Sequence, residues 1–518
     1  MDPSSVQSLA GIDWTIIIVY MVGVFFIGLW YSRYVAGAGD LFLAGKSLPF
    51  WAIGMSIVVS DIGATDFIFV GGSAYKHGVS VANFDWMGSM PAMVFAAFIF
   101  APYFWRSGVY TIPEFLGKRY NTTVQMLHAT LWGVFMLIML GVMLATTGSF
   151  LNQVLGWNTT FSIWFMVVVV GLYTVSGGLA AVVMTDVIQM IVMYVGGLSM
   201  MLLCIWEVGG WSKLKTDVLA LGPEYQHHFT LLLPNDAATP YPWTGIVLGL
   251  GLIMATAYMS GNQAVIQRCF GARSEWDAKA GMLFGGFLKS FIPLMVALPG
   301  LAAILVVPGL EEGDRAIPAM ISKLLPPGLK GLMFSALFAA LMSSVDSYLN
   351  SASTIWTTDL YGRYYKVTHG KAPSEANMLV VGRIFTIIFV VSAAIIGPML
   401  VGGSMYVFIQ TALSMFQGPV FAILLLGILW KRANQWGGMA GLILGVMFTV
   451  ILKNTKGLFL SEDPFLFIAW WSFVFSFIVT IVVSLLTPAD PEEKLRGLTF
   501  GQVMKDGKMQ RVLLERVS

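Results

Sequence analysis

Thirteen apolar stretches, each long enough to cross a lipid bilayer, follow one another through almost the whole sequence. A bilayer core about 30 Å thick requires roughly 20 apolar residues in a helix. The stretches lie near 12–31, 48–75, 84–105, 126–150, 160–178, 180–206, 243–262, 279–305, 330–356, 378–400, 404–430, 436–454 and 466–487. Charged residues make up only 11% of the 518 residues, whereas soluble domains carry about 25%. The sequence therefore predicts an all-α polytopic membrane protein of about 13 transmembrane helices, embedded in the lipid bilayer.

The distribution of lysine and arginine predicts how these helices are oriented. The net charge of +2 shows no overall basic bias, so we expect no nucleic-acid partner. Lysine and arginine concentrate in cytoplasmic loops of membrane proteins. With the N-terminus outside, 20 of the 29 basic residues fall on the inner side and 8 on the outer side. We therefore expect a multi-pass plasma-membrane protein with an outer N-terminus and a cytoplasmic C-terminus.

The second and seventh spans are interrupted by glycine and polar residues near their centres. The second contains the run IVVSDIGATDF at 57–67, and the seventh contains ATAYMSGNQ at 255–263. Five spans separate their starts, and this odd offset gives the two helices opposite directions. The pattern favours an inverted repeat of five plus five helices, whose broken helices form a binding site near the midplane. A pair of glycine-kinked helices with packed polar residues is the alternative.

This interpretation divides the chain into six parts. They are an N-terminal helix with the first inner loop (1–47), a first repeat (48–206), an outer loop (207–242), a second repeat (243–430), two further helices (431–487) and a cytoplasmic tail (488–518). The two repeats would form the core of the protein, and the other helices would pack around it.

Six charged residues fall inside predicted spans, where an ionised side chain costs roughly 2.5–3.5 kcal/mol. They are Asp61, Asp66, Asp85, Asp186, Lys289 and Asp346. Five acids against one lysine favour a site that attracts cations or hydroxyl-rich solutes. In the ninth span, serine hydroxyls flank Asp346, and oxygen ligands of this kind suit a hard ion such as Na⁺. Serines among small residues are also common where helices pack together.

No motif in the sequence indicates an enzyme or an ATP-driven pump. The segment GKS at 45–47 ends like a phosphate-binding loop, but position 40 is Asp where the first glycine should stand. No HExxH or GxSxG motif occurs, and the histidines form no metal cluster. We therefore expect no catalytic residues and no power source other than an ion gradient.

Four motifs in order resemble the sodium:solute symporter family, closest to its sodium/glucose (galactose) cotransporter branch. They are FLAGKS at 42–47, GGLAAVVMTD at 177–186, NQAVIQR at 262–268 and NSAST at 350–354. The similarity extends from about residue 10 to residue 455. It implies the same five-plus-five core, and a symporter that imports a sugar-like organic solute with Na⁺ by alternating access.

The resemblance also implies which residues bind the ion. The sodium ligands would be backbone oxygens of Val59, Ile62 and Ala340 with the hydroxyls of Ser343 and Ser344. Asp186 matches an aspartate of the family near the cytoplasmic sodium exit, and Asp346 and Ser347 would join it in a second sodium or coupling site. Asp346 close to Asp186 would be a like-charge pair, so one of them would be protonated unless a second cation intervenes.

For the solute, the resemblance implies a polar pocket with an aromatic platform. The pocket residues would be Asp66, Asp85, Tyr258, Lys289 and Gln410, with Tyr258 also acting as inner gate and Val70, Phe84 and Tyr406 as outer gate. Asp61 and Asp66 depart from the residues usual in sugar-transporting relatives, and Asp346 replaces a small hydroxyl residue. The extra acids would also suit a polyol or an amine-bearing solute. Symport of a sialic acid, polyol, carboxylate or amino acid, a channel, and a non-transporting solute sensor are the alternatives.

Overall fold

The computed structural model describes residues 9–235, 239, 241–400, 405–455, 457–459 and 464–500, without the side chains of 64–65, 153–154, 400 and 405–412. Throughout these ranges the protein is mainly helical, and its only β-type pairings are two isolated bridges, Leu48 with Ala272 and Leu233 with Pro242. The predicted tail therefore lies partly outside the described residues.

The thirteen predicted spans all coincide with helical segments. The α-helices are α1 (Gly11–Tyr31), α2 (Ala38–Leu43), α3 (Phe50–Asp61), α4 (Ala64–His77), α5 (Met90–Phe95), α6 (Ala101–Ser107), α7 (Ile112–Arg119), α8 (Thr122–Leu155), α9 (Thr159–Glu207), α10 (Trp211–Leu219), α11 (Ala255–Gly261), α12 (Gln263–Phe270), α13 (Glu275–Lys289), α14 (Ile292–Val306), α15 (Ala316–Leu324), α16 (Leu329–Ile355), α17 (Gly362–His369), α18 (Glu375–Leu400), α19 (Met405–Leu429), α20 (Gln435–Asn454), α21 (Phe465–Leu486) and α22 (Glu492–Leu495). Four π-helical stretches (Phe84–Ser89, Ala96–Phe100, Gly245–Met254 and Trp356–Tyr361) continue them. Within the described ranges, nine helices are long and apolar enough to cross a membrane, and one bent pair adds a tenth. The other predicted spans are interrupted helices, a short helix or parts of longer helices.

Both helices that the sequence predicts to be broken are interrupted in the structure. The second span separates into α3 and α4 at Ile62 and Gly63, whose backbones are extended. The seventh span runs through α11 into α12 with a bend of 51° at Asn262. Helices with freed backbone groups at membrane depth are tolerated where they line a cavity or are buried in protein. Each break therefore marks a place where the membrane core holds polar groups.

The fifth and sixth spans form one 49-residue helix, α9, that is interrupted at Gly178. Gly178 has φ 56° and ψ −150°, a conformation that favours glycine. A Cβ atom at this position would lie 2.2 Å from the carbonyl oxygen of Leu41. Glycine is therefore required at this boundary, which falls where the sequence separates the two spans.

The eighth span contains an interruption that the sequence analysis did not predict. α13 ends at Lys289, and α14 begins at Ile292. A Cβ atom at Gly54 of α3 would lie 2.8 Å from the Gly281 carbonyl oxygen of α13. One at Gly300 of α14 would lie 2.1 Å from a carbonyl oxygen of α4. Because each half of the broken second span packs closely on one half of the eighth, Lys289 is brought beside the break.

α16 is the central helix of the molecule. Every residue from Met333 to Ile355 is buried, and α16 packs against α1, α3, α8 and α9. Its N-terminal end is held by Asp13 of α1, whose Oδ1 accepts hydrogen bonds from the backbone N–H groups of Gly328 and Gly331, both at 2.7 Å. The helix that carries the predicted sodium-binding hydroxyls is therefore fixed on several sides.

Candidate functional site

A cavity of about 160 Å³ lies between the two broken spans and α16. Most of the predicted solute and gate residues line it. The lining includes Ser60, Asp61, Ile62, Gly63, Asp66, Val70, Phe84, Asp85, Tyr258, Lys289, Ser344, Tyr348 and Gln417. Two further predicted residues, Tyr406 and Gln410, belong to the segment whose side chains lie outside the described residues, so their roles stay predictions.

Lys289 joins two acids on one side of the cavity. Its Nζ forms an ion pair with Asp61 and lies 3.2 Å from Asp85 Oδ1. Lys289 is only 4% exposed, and a buried ammonium group requires such partners. Asp61 ends α3, Asp85 lies in the π-helical stretch that opens the third span, and Lys289 ends α13. The ion pairs therefore connect three spans at the level of the first break.

Asp66 lies on the other side of the same break. It lines the cavity, and its Oδ2 accepts a hydrogen bond of 2.7 Å from the backbone N–H of Gly63. A carboxylate in the first turn of a helix is stabilised there by the N-terminal N–H groups. The N-terminus of α4 thus holds Asp66 at the cavity, where the sequence predicts a solute-binding residue.

Tyr258 of α11 is held by other hydroxyl and amide groups. Its hydroxyl lies 3.2 Å from that of Tyr348, which also accepts a 3.2 Å hydrogen bond from Asn262 Nδ2. Tyr348 is not among the residues predicted from the sequence. It could have been found from its spacing, because it follows the predicted ligand Ser344 by four residues and residues four apart are neighbours on one face of a helix. The proposed aromatic platform is therefore fixed to α16.

The predicted sodium ligands of α3 and α16 lie together in a cluster of oxygen atoms. Ser343 Oγ donates to the carbonyl oxygens of Val59, at 2.8 Å, and Ala340, at 3.2 Å. Ser344 Oγ lies 3.0 Å from the same Ala340 oxygen. Ile62, the fifth predicted ligand, stands in the extended segment of the break. Neutral hydroxyl and carbonyl oxygens form a donor set that fits a hard monovalent cation.

Asp186 lies deeper in the protein and is paired with an arginine. Its Oδ2 accepts hydrogen bonds from Ser56 Oγ at 2.5 Å and Ser60 Oγ at 3.1 Å. Arg268 Nη2 lies 3.2 Å from the same oxygen. Arg268 also donates to Ser56, Ser60 and Ser347. A guanidinium group with several fixed partners suits a buried ion pair.

Asp346 adjoins this group. Tyr173 donates to its Oδ2 at 2.6 Å, and Ser347 donates to its Oδ1 at 3.2 Å. Ser347 in turn donates to Ser60 Oγ at 2.8 Å, which connects Asp346 to the surroundings of Asp186. The structure thus brings together the three residues that the sequence predicts as a coupling site, with a cation of the protein's own among them.

Arg268 is one of the 20 basic residues predicted to lie on the inner side, where such residues are expected in loops. In the structure it is 1% exposed within α12. A signal was available, because Arg268 closes the motif NQAVIQR immediately after a broken span. An arginine beside a broken span, in a chain with five acids inside its predicted spans, should be expected to pair with one of them.

A model of the sodium:solute symporter family matches residues 41–445. The chain belongs to that family. A sodium/glucose cotransporter from Vibrio parahaemolyticus is 32% identical and covers 94% of this chain and 92% of that protein. A sodium/myo-inositol cotransporter from Homo sapiens is also 32% identical, over 94% of this chain and 75% of that protein. The resemblance inferred from the four motifs is therefore confirmed.

Among solved structures, a substrate-bound, outward-open Na⁺-coupled sialic acid symporter has a TM-score of 0.82 and 20% identity, over 93% of this chain and 99% of that one. This likeness confirms the predicted fold class, a polytopic helical protein with an inverted-repeat core and two broken helices. As a sodium:solute symporter, the protein is a multi-pass membrane transporter of a small organic solute, and its coupling ion is sodium. The bounds of the repeats stay predictions.

Proposed function

We propose that this symporter imports a neutral, hydroxyl-rich solute, a sugar or a cyclic polyol, together with Na⁺. The observation that carries the proposal is the set of acids, Asp61, Asp66 and Asp85, around Lys289 in one cavity with Tyr258. Carboxylates accept hydrogen bonds from hydroxyl groups, Lys289 donates them, and an aromatic ring packs on the apolar face of a sugar. Relatives named for glucose and for myo-inositol support this class of solute.

The charges of the cavity also argue against an anionic solute. Three carboxylates and one lysine line the cavity, and the ammonium group of that lysine already pairs with Asp61 and Asp85. A solute carboxylate, such as that of a sialic acid, would face like charges in a poorly hydrated site. A cationic amine would meet the opposite situation. An amine-bearing sugar is therefore the second candidate, favoured by the excess of acids.

Sodium would act at the cluster formed by Val59, Ile62, Ala340, Ser343 and Ser344. An ion bound there would hold α3 to α16 at the break of the second span. Ser344 and Ile62 also line the cavity, and Asp61 and Asp66 stand on either side of the same break. Sodium would therefore order the acids that receive the solute, and each ligand would raise the affinity for the other equally.

Alternating access would proceed by movement around this fixed site. Val70, Phe84 and Tyr406 would close over the solute on the outer side, and Tyr258 would move to open the inner path. This direction assumes the outer N-terminus and cytoplasmic C-terminus predicted from the lysine and arginine distribution, in a plasma membrane. Repeats at 48–206 and 243–430 would then rock against each other, as inverted repeats allow.

Asp186, Asp346 and Ser347 would form a second coupling site. Two carboxylates with one guanidinium, that of Arg268, leave one negative charge in a fully buried group. A second sodium ion or a proton would balance it. Asp346→Asn should then change the Hill coefficient for sodium or the pH dependence of uptake. If both are unchanged, Asp346 takes no part in coupling.

The experiment that tests the proposed function is uptake into proteoliposomes of labelled D-glucose, D-galactose, myo-inositol, glucosamine and N-acetylneuraminic acid. Each solute is offered with an inward Na⁺ gradient, with K⁺ in place of Na⁺, and with a proton gradient alone. Accumulation of a neutral sugar or inositol that requires Na⁺ is the expected result. Uptake of glucosamine alone would favour the second candidate. Sodium-driven uptake of N-acetylneuraminic acid alone would contradict the proposal, and binding without accumulation would support a sensor.

A further inference from the structure

Gln417 of α19 is a buried amide that lines the solute cavity. The residue is 2% exposed, and neither its Nε2 nor its Oε1 has a hydrogen-bond partner among the described residues. Buried polar side chains are nearly always hydrogen-bonded, because an unpaired buried donor or acceptor is costly. The amide faces a cavity whose other polar lining residues include the groups proposed to bind the solute. A partner for Gln417 is therefore to be sought in the cavity itself.

The depth of Gln417 follows from the packing of α19 against α11. A Cβ atom at Gly261 would lie 3.9 Å from Val420 and 3.3 Å from Leu424, so this face of α19 contacts α11. The seventh and eleventh spans are four apart and cross the membrane in the same direction. Tyr258 precedes Gly261 by three residues, and Gln417 precedes Val420 by three. The amide consequently lies at the level of Tyr258, the proposed aromatic platform.

The backbone of α19 is fixed behind this side chain. A Cβ atom at Gly418 would lie 2.9 Å from the Ala469 carbonyl oxygen and 2.9 Å from the Phe473 nitrogen of α21. Because α19 and α21 approach this closely, the helix cannot withdraw Gln417 from the cavity without separating the two spans. The backbone that carries the amide is thus fixed before any solute enters, which favours specific recognition.

We propose that Gln417 binds the solute directly and selects for two adjacent hydroxyl groups. Its Oε1 accepts a hydrogen bond from one hydroxyl, and its Nε2 donates to the neighbouring one. The acids of the cavity can only accept when ionised, and Lys289 can only donate, whereas an amide does both without charge. This inference rests on the proposed function, and it assigns a further specificity-determining residue to the same cavity.

The test combines removal of single hydroxyl groups from the solute with substitution of Gln417 in the protein, and measures solute affinity in every combination. Full-length protein in nanodiscs with saturating Na⁺ is titrated calorimetrically with D-glucose, with myo-inositol, and with mono-deoxy derivatives of each. The wild-type protein should bind two deoxy derivatives, those that lack one or the other of two adjacent hydroxyl groups, each roughly tenfold more weakly than the parent. In Gln417→Leu, the parent should bind roughly tenfold more weakly, and the penalties for these two derivatives should vanish while the penalties for the other derivatives persist.

A matched control is Gln189→Leu, because Gln189 of α9 is also a fully buried glutamine of a membrane-spanning helix. It is not among the residues that line the cavity, so every deoxy penalty should persist in this variant. Gln417→Met, which keeps the length of the side chain, replaces Gln417→Leu if the latter does not fold.

The titrations distinguish a failure of the role proposed for Gln417 from a failure of the proposed function. If the parent solutes bind but every deoxy penalty persists in both Gln417 variants, the role of Gln417 is overturned and the proposed function stands. If the Gln189→Leu control loses the same penalty, the effect is not specific to the cavity and the inference is again overturned. If neither D-glucose nor myo-inositol binds the wild-type protein, the proposed function fails, and the inference fails with it.

Discussion

The two broken spans occupy matching places in the chain, yet they satisfy their backbone groups differently. At the first break, the carbonyl oxygens of Val59 and Ser60 contact the hydroxyls of Ser343 and Ser344. At the second break, the side chain of Asn262 accepts a 3.0 Å hydrogen bond from the N–H of Ala264 and so caps α12. At the first break, serine hydroxyls of α16 form hydrogen bonds with the freed backbone groups. At the second break, the side chain of Asn262, a residue of the break itself, does so.

The residue after the second break adds to this difference. Gln263 Oε1 accepts from the N–H of Ile112 at 3.0 Å, and its Nε2 donates to the carbonyl oxygen of Tyr110, also at 3.0 Å. An amide hydrogen-bonded to backbone at both ends is held in one orientation, but a hydroxyl that rotates can release a carbonyl and turn its own lone pairs to a cation. We therefore propose that the first break binds ligands and that the second has a structural role.

Among substitutions beside the two breaks, the largest effect on stability and on solute binding is expected from Lys289→Met, beside the first break. The substitution leaves Asp61 and Asp85 without their cation beside the first break, and removal of one partner of a buried ion pair costs about 3–5 kcal/mol. The free energy of unfolding should fall by that order, and solute binding should weaken far more than sodium binding. Thermal unfolding and separate titrations of solute and sodium measure these changes. Lys289→Met combined with Asp61→Asn should recover part of the stability, and unchanged solute affinity in Lys289→Met would place the solute elsewhere.

A smaller effect, specific for sodium, is expected from Ser344→Ala. The substitution removes one of the two hydroxyls at the first break, so the sodium concentration for half-maximal uptake should rise roughly tenfold while expression is unaffected. The matched control is Ser335→Ala on the same helix, because Ser335 is buried and donates at 2.9 Å to the Gly331 carbonyl oxygen of its own helix. Equal sodium requirements in the two variants would remove Ser344 from the ion site.

The smallest effect is expected at the second break, from Asn262→Ala. Loss of an N-cap lowers the free energy of unfolding by about 1 kcal/mol, which denaturant unfolding of the purified protein can measure. The sodium requirement of uptake should stay at the wild-type value, since this amide serves the structure. A rise in sodium requirement similar to that of Ser344→Ala would show that both breaks take part in ion binding, and would contradict the different roles proposed for them.

Local patterns in the sequence predict the spans and their breaks. Apolar runs of bilayer length predict helices directly. Polar residues with glycine at 57–67 and 255–263 predict the interruptions. Both predictions succeed because each pattern involves only residues that are neighbours in the sequence. The cluster of oxygen atoms at the first break could be predicted through the family resemblance. In the structure, Val59, Ala340, Ser343 and Ser344 lie together there.

Features that depend on contacts between distant spans could not be predicted. The place of Arg268 beside a broken span marks it in the sequence, but the motif NQAVIQR does not reveal that its partners are Ser56 of α3, Asp186 of α9 and Ser347 of α16. The interruption after Lys289 has only Lys289 and Ser290 as adjacent polar residues, a shorter polar run than those at 57–67 and 255–263. Gln417 follows the predicted solute residue Gln410 by seven residues in an apolar span, where a second amide resembles any packed polar residue until the packing on α11 places it at the cavity.

The measurement that tests the central claim most directly is the mutual dependence of sodium and solute binding. Calorimetric titration of the wild-type protein with D-glucose or myo-inositol at several sodium concentrations is compared with titration of sodium at several solute concentrations. If sodium at the first break orders the acids of the cavity, sodium should raise solute affinity, and solute should raise sodium affinity by the same factor. Solute affinity that does not depend on sodium would contradict the account.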